Sequence, residues 1–300
     1  MSITILYGIK GNTRDVTEIC LHHLTHNNIM IIPKGDSNRC YFFGDHIYGT
    51  KKKIFIIINN NEFEYNHFHV VKVNIINFTI NTVVMQDDNI VDHKINILHS
   101  KLKINYGNFT EELPEQKMSV RYLTGNEKVL ELGGNIGRNS LIIASIIDNN
   151  NFVSLESDTN IAKQLEENRN LNNYTFHIEN SALSKRRLIQ NGWNTKPSDI
   201  LEPGHVWINT INLDELKVKY NINFDTLVLD CEGAFYYILM DMPEILDNIK
   251  LIIMENDYVN MDHKYYVDSV LIKNRFYNEY SEAGGWGPGF NNFFEVWKKI

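Results

Sequence analysis

Two stretches of this chain set carboxylates and glycines at the end of an apolar run. In the first, residues 128–132 (Lys-Val-Leu-Glu-Leu) pass into Gly133-Gly134-Asn135-Ile136-Gly137 and then into Asn139-Ser140-Leu141-Ile142-Ile143. The pattern predicts a buried strand, a tight turn and a helix. Glycines let backbone approach a ligand with no Cβ in the way, and a helix N-terminus presents free N–H groups beside it. A dinucleotide fingerprint would place glycines at 135 and 138, where Asn135 and Arg138 stand. The order found is acid-x-Gly-x-Asn-x-Gly, beginning at Glu131. In the second stretch the strand at 226–230 ends in Asp230 and Glu232, with Cys231 between them and Gly233 after them. At the carboxyl end of a central strand both acids can reach a substrate crevice. One can orient or deprotonate a hydroxyl, and together they can hold a hard cation such as Mg²⁺. Gly233 suggests close backbone packing beside the pair, and Cys231 reads as a small packed side chain.

Further candidates surround these two. Glu156 ends the strand expected at 151–156, where a carboxylate can accept both hydroxyls of a ribose. Asn180 and Ser181 follow the strand expected at 175–180, where an adenine edge would be read. Glu255 ends the strand at 251–255, and His205 in the loop before Trp207 is a reserve base. The glycine-rich loop around Trp286 can cover an acceptor pocket or form only a hairpin tip. Cys20, His22, His23 and His26 share one expected helix, but no acidic or other further ligand joins them, so no metal site is assigned there.

These residues need a scaffold. From 128 onward apolar strands alternate with helices expected at 139–147, 160–171, 235–240 and 262–274, which predicts a parallel sheet covered on both faces. Runs at 276–281 and 292–297 add a terminal hairpin that reverses the last strand. A helix at 111–123, with Pro114 in its first turn, precedes the sheet. Before residue 95 the reading is different. Short Val- and Ile-rich runs at 3–7, 53–58, 68–76 and 78–85, separated by Asn-rich or charged turns, predict a small β-rich domain with one helix at 15–26. Gly35-Asp36 and Gly44-Asp45 read as turns. The division is therefore residues 1–95, of unassigned role, and 96–300.

Four features in order make residues 110–300 resemble the FkbM-type methyltransferases: 130–137 (Leu-Glu-Leu-Gly-Gly-Asn-Ile-Gly), Leu155-Glu156 with Asn168 and Asn172, 209–216 (Asn-Thr-Ile-Asn-Leu-Asp-Glu-Leu), and 229–234 (Leu-Asp-Cys-Glu-Gly-Ala). Glu255 matches the acid ending the next strand. Glu131 replaces the commoner Asp, Gly134 a frequent Ala, and Cys231 a usual Val. The resemblance implies a class I, Rossmann-like α/β fold and S-adenosylmethionine as cofactor. It also implies O-methylation of a sugar or natural-product hydroxyl, the sugar being free or nucleotide-linked. Glu131, Gly133, Gly134, Asn135, Gly137, Glu156, Asn180 and Ser181 would then hold the cofactor. Asp230 or Glu232 would serve as base, with Glu255 and His205 in reserve, and Mg²⁺ is a further candidate.

Bulk properties narrow the partners. The chain has 300 residues and a net charge of −8, a balance that disfavours nucleic acid. Lys51-Lys52-Lys53 and Lys185-Arg186-Arg187 read as solvated turns. No signal peptide or membrane span is evident, and three scattered cysteines suggest no disulfide framework, so a cytoplasmic location is expected. The oligomeric state is not readable. A relic methyltransferase domain acting as a scaffold, or a protein methyltransferase, are the alternatives.

Overall fold

The computed structural model describes residues 3–26, 28–84 and 88–299. The chain divides into two units, residues 1–87 and 88–300. The change of pattern near 95 falls inside a helix, Asp88–Lys101, whose Val91 and Ile95 pack with Val120 and Ile142 of the second unit. The boundary therefore precedes that helix.

In the first unit, short apolar runs cannot bury themselves singly, and they pair into two four-stranded antiparallel sheets. One has the order Asn12–Asp15, Ile3–Ile9, Lys53–Ile58, Asn61–Tyr65; the other Thr25–His26, Ile29–Ile32, His69–Asn74, Ile80–Val84. Ile5, Ile54 and Ile56 from the first share a core with Met30, Ile32, Val71 and Val73 from the second. Met85, the expected end of the last strand, lies outside the described residues. The helix expected over 15–26 covers only Thr17–His23, because Leu24 already accepts a backbone hydrogen bond from Ile31 of the second sheet. Cys20 points into the core while His22 is exposed beside Glu18, so Cys20 and His22 do not share a face. The expected turn at Gly35-Asp36 instead opens a helix, Asp36–Phe43. Its Arg39 is fully buried and donates to the carbonyls of Pro33, Asn66 and His69 at 2.8, 3.1 and 2.8 Å. Lys52, expected on a solvated turn, is buried too, with Nζ 3.0 Å from Asp36 and 2.8 Å from Asp45. A charge removed from water persists only when paired in this way.

The second unit contains a seven-stranded sheet. Its strands are β1 (Val129–Leu132), β2 (Phe152–Leu155), β3 (His177–Glu179), β4 (Thr226–Leu229), β5 (Leu251–Glu255), β6 (Phe276–Glu282) and β7 (Phe294–Lys299). The order is β3-β2-β1-β4-β5-β7-β6; β3 to β5 are parallel through the centre and β7 is antiparallel. This is the parallel sheet with a reversed last strand that the alternation of runs predicted, in the class I order that the resemblance implied. Every residue of β1, β2 and β4 is buried. Leu130, Leu132, Leu227 and Leu229 face one side and pack with Leu213, Leu216, Phe235, Ile238, Val267 and Leu271 of the helices Leu213–Tyr220, Phe235–Asp241 and Met261–Lys273. Alternation sends Glu131, Val228 and Ile253 to the opposite face. There they line a small cavity with Met118 and Asn139 of the helices Leu113–Tyr122 and Arg138–Ala144. No helix among the described residues is long and apolar enough to cross a membrane.

Candidate active site

The loop after β1 bends back on itself because its residues permit little else. Gly133 has φ +89°, and a Cβ there would lie 1.6 Å from the Asp230 carbonyl oxygen. A Cβ on Gly134 would meet Ser154 Oγ at 2.2 Å, and one on Gly137 would meet Leu165 at 2.6 Å. The glycines thus let the loop lie against the ends of β2 and β4. The N–H groups of Gly133 and Gly134 both donate to Leu155 O, at 3.0 and 2.9 Å. Asn135, at φ 46°, donates its N–H to Glu156 Oε2 at 2.9 Å. Glu156 Oε1 accepts from Asp158 N at 2.8 Å. The carboxylate is held between the loop and the start of the next helix, at the carboxyl edge of the sheet, and burial pushes its pKa up.

A cleft of about 410 Å³ opens along that edge. Gly133, Asn135, Glu156, Ser181, Asp230, Glu232 and Glu255 all line it, so the structure brings these expected residues together. Its chemistry is one-sided. Glu112, Glu115, Asp241 and Asp257 add to the acids, and among the described residues no lysine, arginine or histidine lines it. Glu112 and Asp241 are neutralised from behind, by Arg138 at 2.6 Å and Arg186 at 2.6 Å. The acids at the ends of β4 and β5 have no such partner in the cleft wall. Burial, with Glu115 hydrogen-bonded to it and Asp230 nearby, pushes Glu255 up to about 12. Burial, followed by the charge of Glu232, pushes Asp257 up to about 7. Asp230 is likewise held well above the ordinary range by burial and then by Glu112 and Asp257. Burial raises the Cys231 thiol, which suits a packed rather than a reactive side chain. Glu232 stands apart from its neighbours. It is exposed, and its φ of 50° is a conformation rarely adopted by a side chain of its kind.

Neither a protein-family model nor a curated protein matches the chain. Among solved structures it is similar to a protein in the NADB-Rossmann superfamily from Streptococcus agalactiae, at 13% identity over 62% of this chain and 67% of that one, TM-score 0.40. It is also similar to an O-methyltransferase from Bacillus cereus in complex with SAH, at 12% identity over 72% and 94% of the two chains, TM-score 0.38. A SAM-dependent O-methyltransferase from Thermotoga maritima is similar at 10% identity over 99% and 92%, TM-score 0.38.

Several expected residues do something other than face the cleft. Glu131 is 2% exposed and turned to the opposite side of the sheet, where it accepts from Ser140 Oγ at 2.5 Å and Ser154 Oγ at 2.6 Å. It braces the loop from beneath. Gly134 and Gly137 shape the bend without lining the cleft. Asn180 also stays outside: its amide donates to Glu156 O at 2.8 Å and Ser157 O at 3.3 Å, fixing the backbone that carries Glu156. His205 is not in the cleft wall; its Nδ1 donates to Pro203 O at 3.3 Å within its own turn. Gly233 is needed for its φ of +75°, not for space, since a Cβ there would meet nothing nearer than 3.5 Å. Lys185-Arg186-Arg187 is tied down rather than free: Lys185 pairs with Glu244, Arg186 with Asp241, and Arg187 lies over Trp207.

Other cleft residues escaped the sequence reading. Glu112 and Glu115 flank the start of the helix Leu113–Tyr122, and their spacing of three places both on one side of its first turn. That spacing was the available signal. A three-stranded sheet of Leu188–Asn191, Asn194–Pro197 and Val206–Ile208 supplies Leu188, Gln190, Trp193, Thr195 and Pro197. Its strands are too short and mixed to announce themselves.

The buried Glu131 makes a pH prediction. Burial raises it to about 7, against the hydrogen bonds from Ser140 and Ser154 that lower it. The folded chain then holds this proton more tightly than the unfolded chain, so its contribution to stability is full below the ordinary carboxyl range and is lost as pH rises through about 7. Glutamine can accept the same two hydroxyls and does not titrate. Glu131→Gln is expected to melt with the wild type near pH 4.5 and to exceed it above pH 7 by an amount on the order of 3 kcal/mol. Calorimetric melts across pH check this; a constant offset would contradict it.

Proposed function

We propose that the second unit is an S-adenosylmethionine-dependent O-methyltransferase of the FkbM type, acting on an uncharged sugar hydroxyl. The supporting observation is the 2.9 Å hydrogen bond from Asn135 N–H to Glu156 across the head of the cleft, with both residues lining it. A tight bend and a carboxylate facing one crevice suit an adenosine: the acid takes the ribose hydroxyls, and the loop lies along the amino-acid part. Ser181 with Leu183 and Leu188 offers the adenine a polar and an apolar neighbour. Ser157, which follows Glu156, donates to Gln190 at 3.3 Å, and both line the cleft with Trp193. An acidic wall with no lysine, arginine or histidine among the described residues suits a cofactor carrying a sulfonium and an ammonium. The same wall offers a phosphate no lysine, arginine or histidine among the described residues, which favours a neutral glycan over a nucleotide-linked sugar.

In the reaction the acceptor oxygen attacks the sulfonium methyl carbon. The O–C bond forms as the S–C bond breaks, the pair returns to sulfur, and a methyl ether and S-adenosylhomocysteine leave. Most of the rate comes from holding donor and acceptor in line. Glu232 takes the hydroxyl proton, because it is the exposed acid of the group and its backbone is held in an uncommon conformation. Trp286 is the acceptor platform. Its hairpin lies beside the base of the cleft: Glu255 pairs with Phe294, and Gly289 packs on Asn256 O.

The test is direct. Calorimetry should show S-adenosylmethionine binding to the full chain, and labelled methyl should pass to neutral oligosaccharides but not to nucleotide sugars. Trp286→Ala should raise the acceptor KM about tenfold, the loss of one aromatic stacking contact, with cofactor affinity unchanged. Absence of cofactor binding at high protein concentration would end this reading.

A further inference from the structure

We propose that Asp230, Glu255 and Asp257 form a binding site for a hard divalent cation at the floor of the cleft. One carboxylate oxygen from each lies within 4.8 Å of the others, the arrangement three ligands of one ion require. The scaffold is rigid: β4 and β5 are neighbours, with Leu229 in register with Met254, so the residues that follow emerge side by side. A second observation points to a ligand. Asp257 is 7% exposed and its Oδ2 has no hydrogen-bond partner; Glu115, also 7% exposed, brings an unpartnered Oε2 to the same wall. A buried acceptor without a donor is costly to keep. Elsewhere in this cleft the chain spends an arginine on such an acid, as it does for Glu112 and Asp241. Here it spends none.

The donor set is all oxygen and all carboxylate. That selects Mg²⁺, Mn²⁺ or Ca²⁺ over the softer metals, which favour imidazole and thiolate. Three carboxylates also leave coordination positions for oxygen ligands from the cleft side. Glu232, outside the group of three, remains available as base. On the methyl-transfer reading the ion would give a neutral, polyhydroxylated acceptor the one positive charge its binding wall lacks; cation binding itself does not depend on that reading.

Chelator-stripped full chain titrated with Mn²⁺ and followed by electron paramagnetic resonance tests this. One Mn²⁺ per chain should disappear from the free signal and return on addition of Mg²⁺. Asp257→Asn keeps the side-chain shape and should weaken Mn²⁺ binding about tenfold or more, while Glu232→Gln should stay within about twofold. A free-ion signal undiminished at millimolar protein, or equal loss in the two variants, overturns the site, the latter reducing it to diffuse acidity. Cofactor binding is titrated in the same samples. Mn²⁺ bound at this site in a chain that ignores S-adenosylmethionine would support the cation site and remove only the methyl-transfer reading.

Discussion

Glu156→Ala is expected to lower the affinity of the chain for S-adenosylmethionine by about a hundredfold. On the proposed reading the carboxylate faces the ribose; it lines the cleft, is 6% exposed, and is pre-aligned from two sides by the N–H groups of Asn135 and Asp158. Two hydroxyls bound to one carboxylate are charge-assisted bonds, and losing both removes roughly 3 kcal/mol, or two decades of affinity. The alanine also frees the Asn135 N–H, so the bend at 133–137 loses one of its anchors while keeping the two bonds to Leu155 O. Glu156→Gln keeps an acceptor but not the charge, and should fall between the wild type and alanine. Isothermal titration with thermal melts alongside separates lost contact from lost fold. Unchanged affinity in Glu156→Ala would mean that the cofactor lies elsewhere.

The second large effect is on the fold. Gly133→Ala must place a Cβ 1.6 Å from Asp230 O and 2.7 Å from Asp230 C, at a φ of +89°. The obstacle is backbone, not a movable side chain. Asp230 N donates to Leu132 O at 3.0 Å, so β1 and β4 would have to part for the clash to relax. Left-handed strain alone costs about 1–2 kcal/mol; with the central ladder disturbed, the total should reach about 4 kcal/mol. For a unit of this size that is a fall in Tm on the order of 10 °C. Gly287→Ala is the matched control. Its φ is +75°, but nothing lies within 4 Å of the added Cβ, so only the dihedral strain remains and the fall should be a few degrees. Equal melting of the two variants would show that the loop does not press on β4 as described.

What could be read along the chain was whatever depends on neighbours in sequence. Runs of Val, Ile and Leu marked the central strands, since a strand buried on both faces must be apolar throughout. The glycines at 133, 134 and 137 announced a bend, and the acids at 156, 230, 232 and 255 a strand edge facing a cleft. The same composition hid direction. Inside an unbroken apolar run period two is invisible, so Glu131 looked like a cleft residue, yet alternation turns it under the sheet onto Ser140 and Ser154. Asn180 and His205 stood at the right places in the order of elements, but their partners, Glu156 O and Pro203 O, depend on how loops close. Only the tertiary structure could bring Glu112 and Glu115, from a helix before the sheet, to the acids after β4 and β5, or bury Arg39 and Lys52 against carbonyls and carboxylates distant in sequence. Residue type and spacing thus settled which groups were available. Which of them meet was decided by the crossing of strands and helices far apart in the chain, since charge and hydrogen bonding act over a few ångströms of space whatever the separation along the backbone.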